Sequence, residues 1–380
     1  MEIEGFVKPV SDFYHSILLK DSNLGTNITA YNFNESFDWS SYRVALIGLP
    51  QSDFKEESEE YLIAYEIRKD LAFLSKSSQS FKIIDIGNII RGKSPKDTAF
   101  AVGEVVAQLH QKKIVTVLLG STSDLGLGNF LGFVSNKRPA GLIHIDSHIN
   151  LLFEGDRLSD RITLDEVIFR NSEYLFNYTN LGYQTFYVSQ KEVDLLDDLY
   201  FDAFRLGIVR SGLKEFEPVI RDAEIVNLSL NSVKYADSPG SLIKSPNGFT
   251  GEEACQLSFY AGLSNKVQAF GVYDIGTDPG RNISCMLASQ IIWYFIEGLI
   301  NQIIESPQIN KSDFTRFEIH VNQLSQEFVF YRSNKSNRWW VEVPVKPDDK
   351  LIISCSLQDY ERAVAQDIPE RWWKMLQKMS

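Results

Sequence analysis

Cysteine, histidine and methionine are scarce in this chain of 380 residues, which holds 3, 5 and 4 of them. Cys255, Cys285 and Cys355 are odd in number, far apart and form no CxxC pair. That excludes a disulfide scaffold and predicts reduced thiols in a cytoplasmic protein. With histidine limited to His15, His110, His144, His148 and His320, metal or acid–base chemistry has to be assembled from that short set plus carboxylates. Positive charge is short too: 38 Lys and Arg face 50 Asp and Glu, a net charge of −12 without a basic run. A nucleic-acid surface is therefore not expected. No apolar run reaches the roughly 18 residues of a membrane span. The opening MEIEGFVKPV lacks the basic and apolar regions of a signal peptide. Neither a membrane partner nor export is expected. Apolar residues make up 44% and aromatic residues 12%, which supports a generous core and excludes intrinsic disorder.

Short apolar runs recur along the chain: 44–48 (VALIG), 82–86 (KIIDI), 114–119 (IVTVLL), 141–145 (GLIHI), 185–188 (TFYV), 225–230 (IVNLSL) and 268–273 (QAFGVY). Most are continuous rather than alternating, the pattern of strands covered on both faces. Helical periodicity fills the gaps, over 58–74 and 97–111, from a capping box at Thr250-Gly251-Glu252-Glu253, and from about 286 to 305. Strand–helix alternation predicts a parallel sheet with helices on both faces. Beyond about 305 the segments FEIHV, EFVFYRS, RWWVEVPV and LIISCS follow one another through turn residues, including Pro347-Asp348-Asp349. They predict an antiparallel meander, then a short helix from Leu357. The expected organisation is an N-terminal segment (1–41), an α/β domain (42–308) and a β-rich C-terminal extension (309–380).

In parallel sheets, function gathers at the carboxyl ends of the strands. Three such ends are unusually polar here. IVTVLLG runs into Ser121-Thr122-Ser123-Asp124, GLIHI into Asp146-Ser147-His148-Ile149-Asn150, and IVNLSL into Asn231-Ser232. Residues two apart in an extended chain share a face. That spacing predicts Asp146, His148 and Asn150 pointing together, and likewise Asn227, Ser229 and Asn231. An Asp-x-His pair could bind a metal or tie down a loop; two ligands do not make a site.

The order of these segments resembles the ureohydrolase superfamily (arginase, agmatinase, formimidoylglutamase), the last most closely. Residues 118–123 (LLGSTS) stand where the family has Leu-Gly-Gly-Asp-His, and 146–150 (DSHIN) where it has Asp-Ala-His-x-Asp. Residues 227–231 (NLSLN) stand at its Ser-x-Asp-x-Asp strand, and 248–254 (GFTGEEA) at the helix opening that follows. The resemblance implies a three-layer α/β/α fold with a mainly parallel sheet of about eight strands. It also implies two Mn2+ ions held by two His and four Asp, polarising a hydroxide that attacks a guanidinium or amidine carbon. Carried over position by position, the ligand places fall on Ser123, Asp146, His148, Asn150, Ser229 and Asn231, of which only Asp146 and His148 keep the family's residue. Asp274 falls where a substrate-binding Glu would stand, so Asp146, His148 and Asp274 are the catalytic candidates. No histidine between His148 and His320 matches the family's further catalytic His.

Each Asp-to-Asn or Asp-to-Ser replacement removes an anion, and affinity for hard cations follows the count of charged ligands. The expectation is therefore a chain without a cofactor, catalytically silent, acting as a binding or assembly component. Its ligand would be a small amidine, guanidine or amino acid, and it would form a homo-oligomer. The alternatives are an active hydrolase of linear amidines at a reduced Mn2+ site, and an unrelated activity in the same crevice. Other features read as structural: Cys255 and Cys285 as packed side chains, His144 as a core histidine, and Trp339-Trp340 and Trp372-Trp373 as anchors. Arg205 and Arg210 could hold a carboxylate or form salt bridges.

Overall fold

The computed structural model describes residues 3–51, 59–76, 82–120, 122–151, 161–277, 279–321, 326–346 and 349–379. Ten strands form one sheet: β1 (Val7–Lys8), β2 (Ile28–Ala30), β3 (Tyr42–Gly48), β4 (Lys82–Ile89), β5 (Val115–Leu119), β6 (Ala140–Ile145), β7 (Leu175–Tyr183), β8 (Asp202–Arg205), β9 (Ile225–Ser229) and β10 (Ala269–Tyr273). Their order is β1-β4-β3-β5-β10-β9-β6-β7-β8, with β2 also paired to β4. Every pairing is parallel except β1 with β4. The eight longer strands form the expected parallel sheet; the apolar runs locate six of them, β3, β4, β5, β6, β9 and β10, but not β7 or β8. Two short edge strands from the N-terminal segment, β1 and β2, are added to it.

Continuous burial explains the continuous apolar runs. In β3, Val44 and Leu46 face the helices Leu62–Phe73, Gly251–Leu263 and Arg281–Ile300, whereas Ala45 and Ile47 face Pro95–Gln111 and Gly128–Ser135. Both faces are covered, so both parities are apolar. Two of the covering helices touch almost backbone to backbone: a Cβ on Gly262 would lie 2.1 Å from Phe295 O, and one on Gly298 2.5 Å from Phe259 O. The Gly251–Leu263 helix opens on the predicted capping box, with Glu253 N donating to Thr250 Oγ1 at 3.1 Å and Thr250 N to Glu253 Oε2 at 2.7 Å.

Three expectations need correcting. Residues 185–188 are a turn, with Phe186 63% exposed; the strand lies earlier, at β7, where Asn177, Thr179 and Asn180 interrupt the apolar pattern. The helix placed at 286–305 runs from Arg281 to Ile300. Its length and composition would suffice to cross a membrane, but here it is mostly buried in the core. The start expected at Ser58 lies outside the described residues; the described helix is Leu62–Phe73.

The C-terminal segments form a separate antiparallel sheet of β11 (Phe314–Val321), β12 (Gln326–Ser333), β13 (Trp339–Lys346) and β14 (Asp349–Cys355), in that order. The turn residues Pro347 and Asp348 lie outside the described residues. One face packs under the helices Leu357–Val364 and Glu370–Met379 through Phe328, Phe330, Val341 and Trp372. The other carries Phe314, Val329, Tyr331 and Trp340. Trp373, by contrast, is 42% exposed and anchors nothing comparable. This unit docks at the amino ends of the main strands. Ser354 N and Oγ each donate to Asp222 at 2.9 Å, just before β9, and Lys374 Nζ donates to Asp202 Oδ1 at 3.0 Å at the start of β8. The carboxyl ends, with their polar loops, are left at the other end of the sheet.

Candidate functional site

The sheet order brings β5, β10, β9 and β6 side by side at its centre, although β9 and β10 follow β6 in the chain. The carboxyl ends of these four strands carry the polar residues singled out above, at the kind of switch in strand order where crevices form. Ser229 pairs with Tyr273 in register, so Asp274 emerges level with the end of β9.

Asp146 and Asp274 are two buried carboxylates of this crevice, each 3% exposed. Asp146 Oδ1 accepts from His148 N at 3.3 Å and from Ser147 Oγ at 3.4 Å, and Oδ2 accepts from Asn150 Nδ2 at 3.4 Å. Asp274 Oδ1 accepts from Ser123 N at 3.0 Å and Oδ2 from Ser229 Oγ at 2.6 Å. Burial raises both carboxyl pKa values, and the charge of Asp274 raises Asp146 further. The Ser229 and Ser123 bonds pull Asp274 partly back. Asp274 holds its place with a left-handed φ of 66°, and so does Asn150 with 62°, a conformation that Asp and Asn tolerate better than most residues.

The two shared faces form only in part. Asn227 and Ser229 do point to one side of β9, but the strand ends there and the turn Leu230–Ser232 redirects the chain. Asn231 Oδ1 instead accepts from Ile243 N at 2.8 Å, capping a neighbouring loop. At β6 the strand ends at Ile145. The His148 ring turns to stack on Tyr187, with centroids 4.4 Å apart, and its Nδ1 meets Ser147 Oγ at 2.8 Å. Burial lowers its pKa, against the pull of Glu192. Asp146 thus finds the expected partner Asn150, whereas the imidazole bonds to Ser147 rather than to Asn150, Ser229 or Asn231. Ser121, in the third polar strand end, lies outside the described residues.

Behind this layer lies a polar cluster whose extent sequence reasoning missed. Asn227 Nδ2 donates to Gly126 O at 3.2 Å and lies 3.3 Å from His144 Nε2. Asn227 Oδ1 accepts from Tyr273 OH at 3.2 Å and from Asn129 Nδ2 at 3.3 Å. His144 is the satisfied core histidine expected, and burial lowers its pKa to about 4, so it is neutral at pH 7. The pair Gly126 and Gly128 flanks this cluster in a packing role: a Cβ on Gly126 would lie 2.6 Å from the Tyr273 ring. Cys255 and Cys285 are buried in helices, and burial pushes the Cys255 thiol up to about 12. Arg210 pairs with Glu253 at 2.9 Å, and Arg205 Nε donates to Tyr183 OH at 3.0 Å. Among the described residues, no three His, Cys, Asp or Glu side chains gather as a metal-binding group.

No family model matches the chain. A formimidoylglutamase of Lysinibacillus sphaericus (strain C3-41) is 23% identical over 180 residues, 44% of this chain and 55% of that relative. The match thus spans about half of the relative's length. Among solved structures, the formimidoylglutamase from Bacillus subtilis subsp. subtilis str. 168 is 17% identical with a TM-score of 0.65, covering 76% of this chain and 96% of that one. A Trypanosoma cruzi formiminoglutamase crystallised with Mn2+ is 16% identical with a TM-score of 0.61, over 70% and 97%. The agmatine ureohydrolase of Thermoplasma volcanium is 16% identical with a TM-score of 0.56, over 76% and 97%. The resemblance read from the strand ends is matched in three dimensions: the fold is arginase-like.

Proposed function

We propose that this chain is a ureohydrolase-superfamily protein that has kept the arginase-like fold, has lost the binuclear manganese site, and serves as a binding or assembly component. The observation that carries the reading is the state of the six inherited ligand positions. Only Asp146 and His148 keep the family residue, and three of the four replacements are committed to protein partners: Ser229 Oγ to Asp274, Asn231 Oδ1 to Ile243 N, Asn150 Nδ2 to Asp146. Neutral hydroxyls and amides engaged in this way do not fit two Mn2+ ions, which need anionic oxygens and a bridging carboxylate. Among the described residues at the carried-over positions, Asp146 together with Asp274 would bring two carboxylates to four positive charges, and the surplus would be buried.

A ligand role has space available. Beside the crevice, Gln184, Arg205, Lys234 and Asn247 line a cavity of about 520 Å3, which suits a small amino-acid, amidine or guanidine ligand. Homo-oligomer formation and a cytoplasmic location belong to the same reading. The test is an assay of urea or formamide release from arginine, agmatine and formimidoylglutamate in the presence of Mn2+. The expected rate is that of the Asp146→Ala variant. Metal-dependent release that Asp146→Ala abolishes would overturn the proposal in favour of a hydrolase working at a reduced metal site.

A further inference from the structure

The junction between the two sheets concentrates arginines that share one carboxylate and keep buried N–H groups without a hydrogen bond. Arg221, from the Glu217–Arg221 helix, is 5% exposed. Its Nη2 donates to Trp339 O at 3.1 Å and its guanidinium carbon lies 4.3 Å from the Trp340 ring centroid. Its Nε and Nη1, however, are buried without a hydrogen-bond partner. Glu217 Oε1 sits 3.3 Å from Nε of both Arg221 and Arg338, yet it too makes no hydrogen bond. Arg332, on β12, has a buried Nε in the same condition. Desolvation holds Arg221 below the ordinary arginine value; Glu217 opposes this and Arg338 adds to it.

These groups line a cavity of about 540 Å3 together with Lys214 and Glu215. Four cations thus face two carboxylates, in a chain whose overall charge is −12. The opposite lining is apolar, from Trp339, Leu263 and Leu357. Buried donors without acceptors are costly, charged ones most of all, and an anion entering this space would supply the missing acceptors. The excess of two charges and the indole wall suit a carboxylate with an apolar portion better than a small, strongly hydrated inorganic ion.

We propose that this junction binds a small organic anion, an amino-acid-sized carboxylate held by Arg221, Arg332 and Arg338 with its apolar part against Trp339. Arg221 belongs to the main sheet unit and the other two arginines to the C-terminal sheet. Occupancy therefore joins the two units and stabilises their docking by mass action. This site is separate from the strand-end crevice and does not depend on whether that crevice holds metal.

The experiment titrates the full chain with 4-fluorobenzoate at low salt, followed by 19F line width and by melting temperature. The expected result is saturable binding with Kd at or below about 1 mM, with a rise in melting temperature. Arg332→Gln should weaken binding about ten-fold and shrink the ligand-induced rise in melting temperature. If that variant misfolds, Lys214→Glu at an exposed position should weaken binding in the same direction. Absence of saturation by about 10 mM, as a cavity filled with water alone would give, overturns the proposal. So does binding that neither variant alters, or full displacement by equimolar inorganic phosphate, which would make this a phosphate site.

Discussion

Arg68 shows how a single side chain can organise a strand end. It is 1% exposed and donates to Asp85 through Nε at 2.7 Å and Nη2 at 3.0 Å, to Asn88 Oδ1 at 2.7 Å and to Gly87 O at 2.8 Å. Tyr14 OH adds a 2.7 Å bond to the same carboxylate. Removing one partner of such a buried pair leaves an uncompensated charge, so Arg68→Met should lower stability by about 3–5 kcal/mol in urea unfolding. A change below about 1 kcal/mol would mean that the pair behaves like an exposed one. Nothing local in the sequence marks this arrangement, since Arg68 and Asp85 belong to different elements. Asp146 and its partner Asn150 were legible because five residues at a strand end, Asp146 to Asn150, sufficed to predict them. The His148–Tyr187 stack was not: Tyr187 sits in a turn whose four residues, Thr-Phe-Tyr-Val, have the composition of a strand.

At the scale of elements, apolar continuity locates strands reliably only where both faces are covered by hydrocarbon. β7 escapes that rule because its polar groups find distant partners: Lys378 Nζ donates to Asn177 Oδ1 at 2.9 Å, and Asn180 Nδ2 donates to His148 O at 2.7 Å. Those partners lie in the last helix and in the crevice loop, out of reach of any local pattern. Helix ends were more readable, because the Thr250 capping box is written within four residues. The crossing of the Gly251–Leu263 and Arg281–Ile300 helices rests on Gly262 and Gly298, whose Cα atoms would meet any added Cβ. Gly298→Val would place its Cβ 2.5 Å from Phe259 O and 2.7 Å from Gly262 Cα, against backbone that cannot move cheaply. It should therefore destabilise at or beyond the upper end of the about 1–3 kcal/mol typical of overpacking. Thermal unfolding measures this, and an unchanged melting temperature would show that the helices are free to separate.

On the scale of the whole molecule, docking of the C-terminal sheet is organised around Asp222, which accepts from Lys266 Nζ, Arg371 Nη2 and Ser354. Burial alone would raise its pKa, but Lys266 and Arg371 outweigh burial and hold it well below the ordinary carboxylate value. A carboxyl with a depressed folded-state pKa adds stability that is complete above its unfolded value of about 4 and is lost as pH falls toward the folded one. Asp222→Asn should therefore destabilise most near neutral pH, and its deficit against wild type should shrink below about pH 4. A pH-independent deficit in urea titrations would exclude this charge linkage. The opposite end of the sheet carries the functional question. The fold was legible there because four segments follow one another in the order of the ureohydrolases, and the proposal of altered chemistry rests on Ser or Asn at four of the six carried-over ligand positions. The most direct measurement is the manganese content of purified protein dialysed against Mn2+ and then desalted. It should be compared with a variant carrying Ser123→His, Asn150→Asp, Ser229→Asp and Asn231→Asp. Wild type should retain well under one ion per chain and the variant should gain bound metal; two tightly held ions in wild type would contradict the account.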